Sequence, residues 1–168
     1  IMAVKIILEI IVLWIFLAVY MAIFVARKGP IGAAFFYPKQ MQQRFLELGL
    51  ITETQLKRRR NAAYILLIAA DIIIPFIMVV LINGAVSYWD CVWQFYVLFI
   101  GQEFFDWLVI DTLWVAMSSW WIIKGTEDLS YTWHDPKLKA LKMPKLIIMT
   151  IPLSLIIGGA YYLIGKLV

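Results

Sequence analysis

The sequence predicts an all-α, integral membrane four-helix bundle with short amphipathic helices on its cytoplasmic side. Three observations carry that prediction. The 168 residues are 64% hydrophobic and 15% charged, against about 45–50% apolar and about 25% charged in soluble domains, and the mean hydropathy is +0.87. The apolar residues gather into four runs close to the ~20 residues that a helix needs to cross hydrocarbon. Thirteen of the fifteen Lys and Arg fall in the connections after the first and third runs, which is how cytoplasmic loops are marked. The expectation is one domain over residues 1–168, with spans at 2–26, 61–82, 92–121 and 146–164. Cytoplasmic loops then cover 27–60 and 122–145, and both termini lie outside.

The composition also excludes classes. A net charge of +4 raises nucleic acid as a partner, but the basic residues stand beside the spans and no nucleic-acid motif is present, so their partner is the lipid bilayer. The single cysteine, Cys91, rules out an internal disulfide and any cysteine-based metal cluster.

Taken in order, the first span carries Lys5 and Glu9, an i,i+4 pair in which Lys5 snorkels and Glu9 is expected to pair with it. It ends at Arg27-Lys28 without a small-residue cleavage pattern, so it reads as a retained span. Gly29-Pro30 breaks the helix. Residues 31–37 are apolar and too short to cross, so they lie at the interface or under the bundle. Pro38 opens a short helix over 39–48, with Met41, Phe45 and Leu48 on one face, and Gly49 ends it.

Thr52 and Gln55 form a capping box, with Ile51 and Leu56 as its hydrophobic staple. The helix that follows runs through Lys57-Arg58-Arg59-Arg60, a topology anchor, into the second span. That span contains Asp71 and Pro75, and the proline is expected to kink it. Asn83-Gly84 marks the outer turn.

Trp89 and Trp93 at one end of the third span and Trp120 and Trp121 at the other suggest two interfacial belts, and Gly101 is the expected bend. In the loop beyond, Asp135-Pro136 has the form of a cap with proline at N1, opening a short Lys-rich helix that Pro144 ends. His134 and Asp135, near Glu127 and Asp128, form a possible cytoplasmic metal or phosphate site, although a lone histidine has no motif behind it. The fourth span has no charge. Its Ser154 and Gly158-Gly159-Ala160 present a small-residue face, a candidate homodimer contact.

The candidate ligand- or ion-binding residues are Asp71, Glu103, Asp106 and Asp111. Asp71 and the Glu103–Asp106 pair fall near the centres of their spans, at nearly one depth. At ~100° per residue Glu103 lies about 60° from Asp106 and about 80° from Asp111 on its other side, one broad face flanked by Gln102 and Thr112. Every Lys and Arg stands at or beyond a span end, so no tethered cation is expected at that depth. The carboxyls are then protonated, line a wet cavity, bind a cation from outside the chain, or simply hydrogen-bond neighbouring helices together. If a metal binds, Glu103, Asp106 and Asp71 are its ligands, and oxygen donors favour Mg²⁺, Ca²⁺ or Mn²⁺.

Two functional readings follow from different classes. The first is a small transporter or channel for a cation or cationic solute, coupled to protons, in which Pro75 and Gly101 are flexible points and a homo-oligomer or partner membrane subunit encloses the path. The alternatives are a membrane-embedded, divalent-metal-dependent enzyme acting on a lipid or isoprenoid, and a non-catalytic accessory subunit.

Overall fold

A computed structural model describes residues 2–129 and 136–167, the side chains of 136–140 excepted. All regular structure among them is helical. Helix α1 covers Met2–Val25, and a 3₁₀ segment, Gly29–Phe36, folds back beneath it. Helix α2 is Lys39–Glu47 and α3 is Glu53–Ile82. Helix α4 runs over Tyr88–Phe105 and widens into a π-helical stretch, Asp106–Ala116. Helix α5 is Pro136–Gly165.

Three helical stretches are long and apolar enough to cross a membrane: Met2–Val25, Glu53–Ile82 and Leu141–Gly165. Their apolar residues point largely outward. Ile7, Leu8, Ile15, Val19 and Ile23 are exposed on α1, as are Ile65, Ile68 and Ile73 on α3, the pattern of helices that bury one stripe on each other and turn the rest to lipid. The protein is a membrane protein. Helix α4 is of similar length but carries the acids.

The local signals before α3 act as their residue types dictate. Gly49 takes a positive φ of 66°, a conformation only glycine adopts freely. Thr52 accepts a hydrogen bond from the Gln55 amide at 3.3 Å, and Ile51 is buried behind the cap. The 31–37 segment packs under the bundle: a Cβ on Gly32 would lie 1.8 Å from the Phe24 carbonyl oxygen, a gap that only glycine fits. Arg59, expected to be a surface anchor, instead donates to the Gly32 carbonyl at 2.9 Å.

Several expected boundaries move. Proline 144 does not end a short helix; α5 continues through it and through Pro152, because in an apolar surround the helix satisfies its own backbone groups better than any alternative. Gly101 does not bend α4. The helix is regular there, Trp14 Nε1 donates to the Gly101 carbonyl at 2.8 Å, and the missing side chain admits Ile10 from α1. Helix α4 ends at Ala116, and Trp120 and Trp121 belong to a 3₁₀ turn, Ser119–Trp121. Trp121 is 2% exposed and packs edge-on against Trp114, so it is a core residue and not part of a belt. The small-residue face of α5 is occupied within the chain: a Cβ on Gly158 would meet the Val92 backbone of α4 at 2.7 Å.

Two apolar cores result. One gathers Leu17, Tyr20, Tyr37, Phe45, Ile110 and Trp121. The other gathers Ile6, Leu13, Val79, Phe95, Leu98 and Tyr161. Along α3 and α4 the polar residues Asp71, Gln102 and Asp106 fall in chain order between members of the two.

Candidate functional site

The site is assembled by α3, α4 and α5, and the backbones of α3 and α4 depart from ideal α-helical geometry within it. In α3, Pro75 offers no N–H to the Asp71 carbonyl, and the ladder changes register: Ala69–Ile73 is π-helical, with Ile74 N–H bonded to the Ala69 carbonyl, and Ile77–Ile82 widens again. A missing donor and a shifted ladder are recognised causes of such local distortion. Asp71 sits inside the first widened turn. Its Oδ1 accepts from Gln102 Nε2 of α4 at 2.6 Å.

In α4 the widening begins at Asp106. With α-helical winding, Asp106 and Asp111 would stand about 140° apart and could not share a partner. With i→i+5 winding, Asp111 follows Asp106 after little more than one turn, and both face α5. The Thr112 hydroxyl donates to the Trp107 carbonyl at 2.7 Å, a side-chain bond that follows the same i→i+5 step. Such turns concentrate at functional sites.

The partner they share is Lys142. Its ammonium lies 2.9 Å from Asp106 Oδ2 and 2.5 Å from Asp111 Oδ2. This overturns the expectation that no tethered cation reaches the acids: Lys142 was placed in the cytoplasmic loop before a span starting at 146, whereas the continuous α5 carries it alongside α4. Glu103 completes the group, with Asp106, Lys142, Asp71 and Asp111 as its charged neighbours. The Tyr20 hydroxyl is buried without a partner, near Asp71 and Asp106. Two carboxylates thus hold the ammonium, and Glu103 and Asp71 are further charged neighbours of that pair.

The acids do not all point inward as the helical wheel suggested. Gln102 and Ile110 hold the innermost face of α4. The side chains of Asp106, Asp111 and Lys142 remain 29%, 37% and 34% exposed, so one wall of the site is open in the single chain. Among the described residues no three His, Cys, Asp or Glu side chains stand close enough to hold a metal ion. The trio Glu103, Asp106 and Asp71 therefore does not form a ready ligand set in this conformation, and the ammonium fills the gap between Asp106 and Asp111.

Other sequence-based sites resolve differently. His134 and Asp135 lie outside the described residues. Glu127 accepts from the Gly125 amide at 2.7 Å, closing a turn, and Asp128 pairs with Arg44 at 3.1 Å. Glu9 does not pair with Lys5: Asn83 Nδ2 donates to it at 3.0 Å, while Lys5 caps the Ile82 carbonyl at 2.6 Å. The sequence pattern singles out neither Lys142 nor Tyr20 nor the bridging role of Gln102. An i,i+4 series of Lys142, Thr150, Ser154 and Gly158, with Leu146 between the first two, marks the face of α5 that meets α4 and was the available signal.

Together these features define an all-α membrane protein with a half-buried layer of carboxyls and an internal counter-ion. No protein-family model, curated protein or solved structure matches the chain.

Proposed function

We propose that the chain is a small, proton-coupled membrane transporter for a cation or cationic solute, with Asp71, Glu103, Asp106 and Asp111 as its binding layer. The observation that carries this reading is Lys142. An ammonium held between two carboxylates, with two further carboxyls close by, occupies the place that a cationic cargo or a mobile ion would take, and it keeps the layer partly neutralised when no cargo is bound. Excess carboxyl over ammonium leaves room for protons to exchange against cargo. Acids inside membrane helices are functional by default, since their burial is costly even when they are paired.

Lys142 also argues for a transporter over an open channel, because the tethered charge must move aside for each cation that passes. The exposed wall beside Asp111 and Lys142 supports assembly with a second copy or a partner subunit to enclose the path. The distribution of Lys and Arg supports basic loops in the cytoplasm and both termini outside. The metal-enzyme reading lacks the ligand set it needs among the described residues, and no specific observation favours an accessory role.

The test is uptake into proteoliposomes containing the purified chain, driven by a pH gradient and scanned over monovalent and small organic cations. Wild-type uptake is expected, with loss in Asp71→Asn, Glu103→Gln and Asp106→Asn while each variant stays folded. Uptake unaffected by all three would remove the site.

A further inference from the structure

The second apolar core encloses a polar site that the carboxylate layer does not use. Glu9 of α1 is 6% exposed and Gln94 of α4 is 2% exposed. Between them Asn83, at the end of α3, donates its side-chain amide to Glu9 Oε2 at 3.0 Å and to Gln94 Oε1 at 2.8 Å. Both amide hydrogens are then spent. Two acceptors remain buried with no donor: Glu9 Oε1 and Asn83 Oδ1.

No salt bridge among the described residues compensates the carboxyl. Among the described residues Lys5 is the one charged group that acts on Glu9, and its ammonium is bonded to the Ile82 carbonyl. The groups that face Glu9 from the end of α3 and from α4, Asn83 and Gln94, are neutral. A buried carboxylate in such a place requires a positive partner. Two free oxygens beside an amide NH₂ are a poor cation site, since hard metal ions take six or more oxygens. A proton fits. A carboxylic acid and an amide pair through two bonds, N–H to one carboxyl oxygen and O–H to the amide oxygen; the first is present, and the two oxygens of the second, Glu9 Oε1 and Asn83 Oδ1, are the ones left without a partner.

The position is in line with the inner layer. Gln94, Leu98, Gln102 and Asp106 follow one another at i,i+4 along α4, so they share a face. Leu13, Val79 and Leu98, each no more than 1% exposed, belong to the apolar core that closes around this face.

We infer that Glu9, held by Asn83, whose amide Gln94 anchors in turn, is a proton-binding site beside the turn that joins α3 to α4. A proton from the adjacent aqueous phase binds Glu9 Oε1, converting the carboxylate to the neutral acid, and leaves as the same proton. Its use as the coupling proton of transport rests on the proposed function; the proton site itself does not.

The test is infrared difference spectroscopy of the full chain in lipid bilayers during a change of pH, with glutamate labelled by ¹³C. In Glu103→Gln the remaining glutamates are Glu9 and the exposed Glu47, Glu53 and Glu127. A label-sensitive band of a protonated carboxyl in an apolar, hydrogen-bonded setting is expected to persist in that variant and to respond to pH. It should shift in Asn83→Ala, which removes the hydrogen-bond partner, and vanish in Glu9→Gln. Absence of the band in Glu103→Gln, or a band that never responds to pH, would overturn the site. In proteoliposomes Glu9→Gln should retain cation uptake and lose its dependence on the pH gradient; uptake that stays fully gradient-dependent overturns the coupling role. A wild type without uptake defeats the transport reading alone, because the infrared titration decides the proton site independently.

Discussion

At the scale of single residues, Lys142 decides the chemistry of the layer. It is one basic residue among five in the second basic connection, and only the path of α5 brings its ammonium to Asp106 and Asp111. Replacing it with Gln leaves two carboxyls facing each other without a counter-charge. The expected loss is about 1–3 kcal/mol of stability, below that of a fully buried pair because each partner keeps about a third of its exposure. Thermal unfolding in detergent measures it, and Lys142→Gln combined with Asp106→Asn should recover part of the loss. In uptake assays Lys142→Gln removes the tethered competitor, so the half-saturating cation concentration should fall about tenfold, or ~1.4 kcal/mol. Asp71→Asn retains an oxygen for Gln102, so its stability should change by less than about 1 kcal/mol while uptake is lost. The four acids were legible in the sequence because charge inside an apolar run is conspicuous. Their partner was not, because a lysine near a span end looks like any other interfacial lysine.

At the scale of elements, the widened turns place the acids. The sequence shows Pro75, and a disturbed ladder around it follows from the missing N–H. Nothing in the composition of 106–116 announces i→i+5 winding, and a wheel drawn at α-helical pitch separates Asp106 from Asp111. Pro75→Ala restores a donor for the Asp71 carbonyl and is expected to return Ala69–Ile73 toward α-helical register, turning Asp71 away from Gln102. Uptake should then fall more than thermal stability does, and similar losses in both would contradict that role. The glycines of the packed helices separate cleanly as well. Gly158→Ala sets a methyl 2.7 Å from the Val92 Cα and 2.8 Å from its amide nitrogen, backbone that cannot move alone, so a cost of about 1–3 kcal/mol is expected. Gly101→Ala meets the Ile10 side chain, which can change rotamer, so its cost should be the smaller of the two. Denaturation midpoints of the two variants decide the order.

At the scale of the whole molecule, two apolar cores flank a charged layer that is open along one wall. Uniform hydrophobic packing would hold four helices together more simply; interrupting it with four carboxyls and an ammonium sacrifices packing for a site. The open wall predicts that wild-type protein in lipid contains more than one chain, or a partner chain, at the Asp111 and Lys142 surface. A cysteine at Leu113, which is exposed on the same widened stretch, should crosslink to a second copy in a Cys91→Ala background, where the buried native thiol cannot interfere. The orientation is tested in the same background: cysteines at Lys39 and at Val86 should label from opposite sides of sealed vesicles, with Lys39 on the cytoplasmic side.

The sequence by itself determined the membrane class, the long helices, the caps at Thr52 and the turn at Gly49, because these follow from local composition, periodicity and turn chemistry. It also exposed the acids, since burial of charge is costly wherever it occurs. Only the tertiary structure decided which groups compensate them. Lys142 and Gln102 reach the layer through helix packing across 31 or more residues of chain, Glu9 exchanges its near neighbour Lys5 for Asn83, and the small face of α5 is filled by α4. Pairing between helices depends on register, winding and rotation, which a single chain's residue order leaves open until the helices pack.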